Sequence, residues 1–300
     1  MIYTLTFNPS LDYVMNMSDF RTGALNRTSA TSLRVGGKGI NVSLVLKNLE
    51  VQSKVMGFIA GFTGKEIEKQ LKEKEIETDF IELAEGDSRI NVKLQSKDET
   101  EINAQGPVIT PADIEKLYEK MEVITADDVL ILAGSIPKGL SEDTYIDIMK
   151  YMEEKGCTVV VDASGEQLRD VLPYHPFLVK PNLYELSELF GIEITDRKEA
   201  MEYAIKVQEM GARNVLVSMG PEGAIFVADD GYVYDEKPPQ GKIVNTVGAG
   251  DSMVAGFIAE YLESKSYEKA LIMGLCAGSA SAFSHDFATK TEIMKLFDEY

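Results

Sequence analysis

The sequence predicts an α/β fold, a parallel sheet covered by helices on both faces, with a small β-sheet projecting from it. From about residue 108 onward, short apolar runs alternate with amphipathic helical stretches, the rhythm of strands joined by crossover helices. Two segments, residues 11–35 and 88–106, leave that rhythm and return to it. Both alternate apolar with polar residues, which suits strands with one exposed face. No internal repeat or low-complexity linker divides the 300 residues.

The runs DVLILAGS (128–135), TVVVDAS (158–164), FLVKPN (177–182) and NVLVSMG (214–220) read as buried strands. Between them, residues 141–156 and 197–211 place apolar side chains at three- and four-residue spacing and end on Gly156 and Gly211, as crossover helices do. The two alternating segments read as antiparallel strands of a small sheet able to act as a lid. The expected division is therefore a main α/β domain from residues 1–10, 36–87 and 107–300, and a lid from 11–35 and 88–106.

With 49 acidic against 30 basic residues, the net charge of −19 argues against a nucleic-acid or anionic-membrane partner, because both need a cationic surface. Cys157 and Cys276 lie far apart, without the spacing of a zinc or redox pair, so neither a disulfide framework nor a zinc site is expected. No stretch approaches the roughly 20 apolar residues of a membrane span, and the start lacks the basic flank of a leader, so a cytoplasmic protein is expected.

Glycine clusters carry the chemistry. Neither GKE (64–66) nor GGKGI (36–40) completes a P-loop, and no GxGxxG follows the first strand, which leaves a dinucleotide fingerprint unsupported. In NTVGAGDSMVAGF (245–257), small residues lead directly into an apolar helical run. Gly248, Ala249 and Gly250 let the backbone approach a ligand, and a helix starting there aims unpaired amides at an anion. Asp251, in the first turn, is then placed to accept a hydroxyl proton, although the same spacing also suits a helix N-cap. GGKGINVSLVLKNL (36–49) has the same form, with Lys38 able to pair with a phosphate and Asn41 to bond sugar hydroxyls. Two such loops suggest two anionic groups to be held.

Together these stretches resemble the signatures of the ribokinase-like (PfkB) family of carbohydrate kinases. The likeness covers essentially the whole chain through NPSLD (8–12), GGKGIN (36–41), SRINVKL (88–94), GSIPKG (134–139), KPNLYEL (180–186), SMGPEG (218–223) and NTVGAGDS (245–252). It implies a Rossmann-like αβα sandwich with a β-sheet lid, ATP with Mg²⁺, and Asp251 as catalytic base beside an anion hole of Gly248, Ala249 and Gly250. For the substrate it implies Asp12, Gly37 and Asn41 at the sugar, Lys38, Arg89 and Arg27 around a phosphate already present, and Asn103 and Ser135 nearby. For ATP it implies Lys180, Asn182, Glu185, Ser218, Gly220, Gly223, Thr246 and Ala277, with Glu185 organising the metal through water. Asn245 departs from the family's frequent Asp and reads as subfamily variation. His175 and His285 match no motif and read as structural. The implied substrate is fructose 1-phosphate, with tagatose 6-phosphate or fructose 6-phosphate as rivals. The implied partners are small molecules only, apart from a homodimer through the lid. A binding-only sugar-phosphate sensor is the alternative from another class.

Overall fold

The computed structural model describes residues 1–137 and 139–300; Lys138, within the GSIPKG motif, lies outside the described residues. The first third of the chain runs β1 (Ile2–Thr6), β2 (Ser10–Asn16), β3 (Ala30–Gly36), α1 (Lys38–Asn48), β4 (Ser53–Ala60), α2 (Gly61–Glu73), β5 (Glu77–Leu83), β6 (Arg89–Gln95) and β7 (Glu99–Ile102). The middle continues with α3 (Pro111–Met121), β8 (Val129–Ala133), α4 (Thr144–Lys155), β9 (Thr158–Asp162), α5 (Gly165–Val171), β10 (Leu178–Val179), α6 (Leu183–Phe190) and α7 (Arg197–Glu209). The last part comprises β11 (Asn214–Ser218), β12 (Ala224–Val227), β13 (Val233–Glu236), α8 (Ala249–Ser264), α9 (Tyr267–Ala282) and α10 (Lys290–Glu299).

Nine strands form the main sheet in the order β13-β12-β11-β10-β9-β8-β1-β4-β5, parallel except for the antiparallel β12 and β13 at one edge. Period-two alternation divides its side chains between two helical layers. Along β1, Tyr3 and Leu5 enter the layer of α3 to α7, while Ile2 faces the layer of α1, α8, α9 and α10. Thr4 also faces α1, where its hydroxyl pairs with Ser43 at 2.8 Å. Strands buried on both faces explain the nearly continuous apolar runs in the sequence.

The remaining four strands form a small sheet in the order β3-β2-β6-β7. Here the antiparallel expectation needs correcting: β2 and β6, the central pair, run parallel, with Asp12 opposite Asn91, while only the outer pairs β2–β3 and β6–β7 are antiparallel. The reason is topological. Both strands follow mutually parallel strands of the main sheet, β1 and β5, which flank β4, so both excursions leave in the same direction. The carboxyl ends of β1, β8, β9 and β10 and the N-termini of α1 and α8 gather where the two sheets meet, the crevice where open parallel sheets bind ligands.

Candidate active site

Both glycine loops open helices without a side-chain cap. Gly37 precedes α1 with φ 126° and Gly248 precedes α8 with φ 79°, backbone that side chains rarely tolerate. At Gly248 space also forbids one, because a Cβ there would stand 2.5 Å from the Phe287 ring. The Ala249 amide is taken by the Thr246 carbonyl at 3.2 Å, whereas the Gly250 and Asp251 amides find no acceptor among the described residues. The open end of α8 therefore presents those two amides at the positive pole of the helix dipole, an arrangement able to receive an anion.

Asp251, in the first turn, is buried at 6 % exposure and accepts a 2.7 Å bond from Asn41 Nδ2. The two glycine loops are thus joined side chain to side chain across 210 residues. Burial, and then the charge of Asp162, push the Asp251 carboxyl up to about 6, against the lowering influence of Lys38, Asn41 and Lys180. Asp162, fully buried at the end of β9, accepts from Lys38 at 3.0 Å and lies 3.5 Å from Lys180. Burial alone would raise its pKa, but Lys180 and Lys38 hold it below the ordinary range. Burial likewise works against the Lys38 ammonium, yet Asp162, Glu185 at 3.8 Å and Asp251 outweigh it and hold Lys38 above the usual lysine value.

Two cavities flank this cluster. The larger, of about 550 Å³, is lined by Lys180, Asn182, Ser218, Gly220, Thr246, Gly248, Ala249, Gly250 and Asp251, and its far wall comes from Pro238, Pro239, Ile243, Leu275 and Phe283. A polar end at a helix N-terminus and an apolar end of prolines and a phenyl ring suit a ligand with phosphates at one end and a flat base at the other. The smaller, of about 270 Å³, is lined by Asn8, Gly37, Arg89, Ser135 and Ser164. Lys38 and Glu185 line both.

Other residues expected at the site stand apart from the cavity walls. Ala277 is wholly buried in α9 against Gly256. Gly223 packs on the Glu236 carbonyl with φ 92°. Asn41 is bonded to Asp251. Asp12 is on the small sheet, held by Ser10 and Asn91 at 2.7 and 3.0 Å. Arg27 and Asn103 are exposed, Asn103 beside Glu101. Asn182 and Glu185 form a reciprocal capping box on α6, so Glu185 is both a helix cap and a wall of the two cavities.

Asp162 escaped the sequence reading, although an Asp ending a buried strand at the carboxyl edge of a parallel sheet was a usable signal. Its Oδ2 is buried without a partner among the described residues, as are Thr6 Oγ1 and Asn8 Oδ1 of residues that line the smaller cavity. Among the described residues no group of three or more acidic, His or Cys side chains could hold a metal. Asp162 and Glu185 are nevertheless the donor set a Mg²⁺ needs, since that ion takes one or two carboxylates and completes its shell with water and phosphate.

The pfkB family carbohydrate kinase profile matches residues 5–293. A 1-phosphofructokinase of Bacillus subtilis is 46 % identical over 299 residues, covering 100 % of this chain and 98 % of the relative. A tagatose-6-phosphate kinase of Staphylococcus epidermidis is 34 % identical over 276 residues, covering 90 % and 88 %. Among solved structures, phosphofructokinase-2 from Escherichia coli in complex with substrates and products superposes with a TM-score of 0.94 at 28 % identity, covering 99 % and 98 %. A profile spanning nearly the whole chain, on a fold that brings both glycine loops to one buried carboxylate, leaves one conclusion: the chain belongs to the pfkB family of carbohydrate kinases and is a phosphotransferase with an alcohol group as acceptor.

Proposed function

We propose that the chain transfers the γ-phosphoryl group of ATP to fructose 1-phosphate, giving fructose 1,6-bisphosphate and ADP. One observation carries this reading: Asp251 sits at the open amide end of α8, beside two cavities that share Lys38 and Glu185. In the larger cavity the phosphates of ATP lie toward Lys180 and the α8 amides, and the base lies against Pro238, Ile243, Leu275 and Phe283. The sugar lies in the smaller cavity and beneath the small sheet, its hydroxyls on Asp12 and its own phosphate toward Arg89. Asp251 takes the proton of the attacking hydroxyl as its oxygen bonds to the γ-phosphorus and the bond to the ADP oxygen breaks. The Gly250 and Asp251 amides and Lys38 stabilise the charge on the transferring group. Asp162 and Glu185 would hold a Mg²⁺, which would neutralise charge on the phosphate oxygens.

Phosphate at carbon 1 is preferred over carbon 6 because the 1-phosphofructokinase of B. subtilis, at 46 % identity, is more similar than the tagatose-6-phosphate kinase at 34 % or phosphofructokinase-2 at 28 %. The small sheet serves as a lid that keeps water from the γ-phosphate. Its other face carries the row Leu33, Tyr13, Val92 and Ile102 across all four strands, with Leu33 41 % and Ile102 58 % exposed, and there a homodimer forms through the lid. No helix of the described residues is long and apolar enough to cross a membrane.

ADP release measured with Mg-ATP and fructose 1-phosphate, fructose 6-phosphate, tagatose 6-phosphate or fructose tests the reading. The expected kcat/KM for fructose 1-phosphate is about tenfold or more above the others. Preference for a 6-phosphate reassigns the substrate, and binding without turnover favours a sensor.

Because the Asp162 charge raises the Asp251 pKa, Asp162→Asn is expected to move the acid limb of the kcat/KM profile to lower pH. An unmoved limb would show that the two carboxylates do not interact.

A further inference from the structure

On the face of the small sheet that carries Asp12, one lysine outside the sequence-derived site is nearly enclosed. Lys93 of β6 shares the face of Asn91, two residues before it, and its side chain is only 13 % exposed. The ammonium meets two carboxylates, Glu101 Oε1 at 2.5 Å and Asp12 Oδ2 at 4.0 Å. Asp12 lies opposite Asn91, so Lys93 reaches back along the strand toward Arg89, which lines the smaller cavity. Glu101, directly across from Lys93 on β7, is 39 % exposed, and the bond from Lys93 holds its carboxyl below the usual range.

The two members of this pair are not equivalent. Glu101 can turn to water at little cost, whereas an enclosed ammonium must keep an anionic partner. The result is a fixed cation with a removable anion on it, beside the carboxylate proposed to hold the sugar.

We infer that Lys93 is a specificity-determining residue that binds the phosphate already on the sugar, and that Glu101 occupies that phosphate's place until substrate arrives. This rests on the sugar-phosphate reading above. A phosphate dianion offers three strong acceptor oxygens and outcompetes a single carboxylate, so Lys93 stays paired throughout the exchange. An unphosphorylated sugar brings no charge to displace Glu101 and is disfavoured by the same pair.

The two partners are tested separately in the full chain by steady-state kinetics with fructose 1-phosphate, or with whichever sugar phosphate the wild type prefers. Lys93→Met is expected to raise the KM for the sugar phosphate about tenfold or more, with the KM for ATP within about twofold. Glu101→Gln, which removes the competitor but keeps the shape, is expected to lower the sugar-phosphate KM about two- to fivefold. A pair that merely joins two strands would move both values in the same direction. That result, or an unchanged KM in Lys93→Met while the wild type turns over normally, overturns the role of Lys93 alone. Absence of wild-type turnover on every sugar phosphate overturns the substrate reading and this inference together.

Discussion

Asp251→Asn is expected to lower turnover by roughly 10²–10⁴-fold while both substrates bind within a few-fold of wild type. The substitution is nearly isosteric, and the new amide can still accept from Asn41 Nδ2, so the link between α1 and α8 survives. What disappears is the proton acceptor. Loss of stability is not the expected cause, because burial and the charge of Asp162 both disfavour the ionised carboxylate in the folded state. A folded-state pKa of about 6 against 3.8 means that ionised Asp251 costs about 3 kcal/mol at pH 7. That cost is full above about pH 6 and is relieved as pH falls toward 3.8, so Asp251→Asn is expected to melt at the wild-type temperature or above. In the wild type, kcat/KM should fall as pH drops through about 6 and the base takes a proton. Turnover close to normal in Asp251→Asn would remove it as the base.

Lys38→Ala ranks second, with an expected loss of about 10²-fold in kcat/KM for the sugar phosphate. Its ammonium lies between Asp162 and Glu185 at the junction of the cavities, where it can follow charge moving from one ligand to the other. A group in that position stabilises the transferring phosphoryl, so kcat is expected to fall along with any rise in KM. A second signature accompanies it. Lys38 lowers the Asp251 pKa, so its removal should shift the acid limb to higher pH, opposite to Asp162→Asn. If kcat stays unchanged and only the KM for the sugar phosphate rises, Lys38 is restricted to holding the phosphate already on the substrate.

Much of this was legible in the sequence because it is local. Apolar runs and helical spacing reported the strands and crossovers, since burial on two faces and the helical period both act over a few residues. The opening of α8 on Gly248 and the capping box of Asn182 with Glu185 are likewise written within a few positions. What only the tertiary structure decided is which distant groups share one low-dielectric space. Asp162 on β9, Lys38 on α1, Asp251 on α8 and Lys180 in the loop after β10 come from four separate stretches of chain, and their mutual charges and burial, absent from any one segment, set the pKa of Asp251. The parallel pairing of β2 with β6 was hidden for the same reason: strand alternation reports a half-exposed face but says nothing of direction, which follows from where β1 and β5 stand in the main sheet. Ala277 and Lys93 show the limit in opposite senses. The family resemblance suggested a nucleotide contact for a residue that packs on Gly256, and an ordinary strand lysine became nearly enclosed only when β2, β6 and β7 came together.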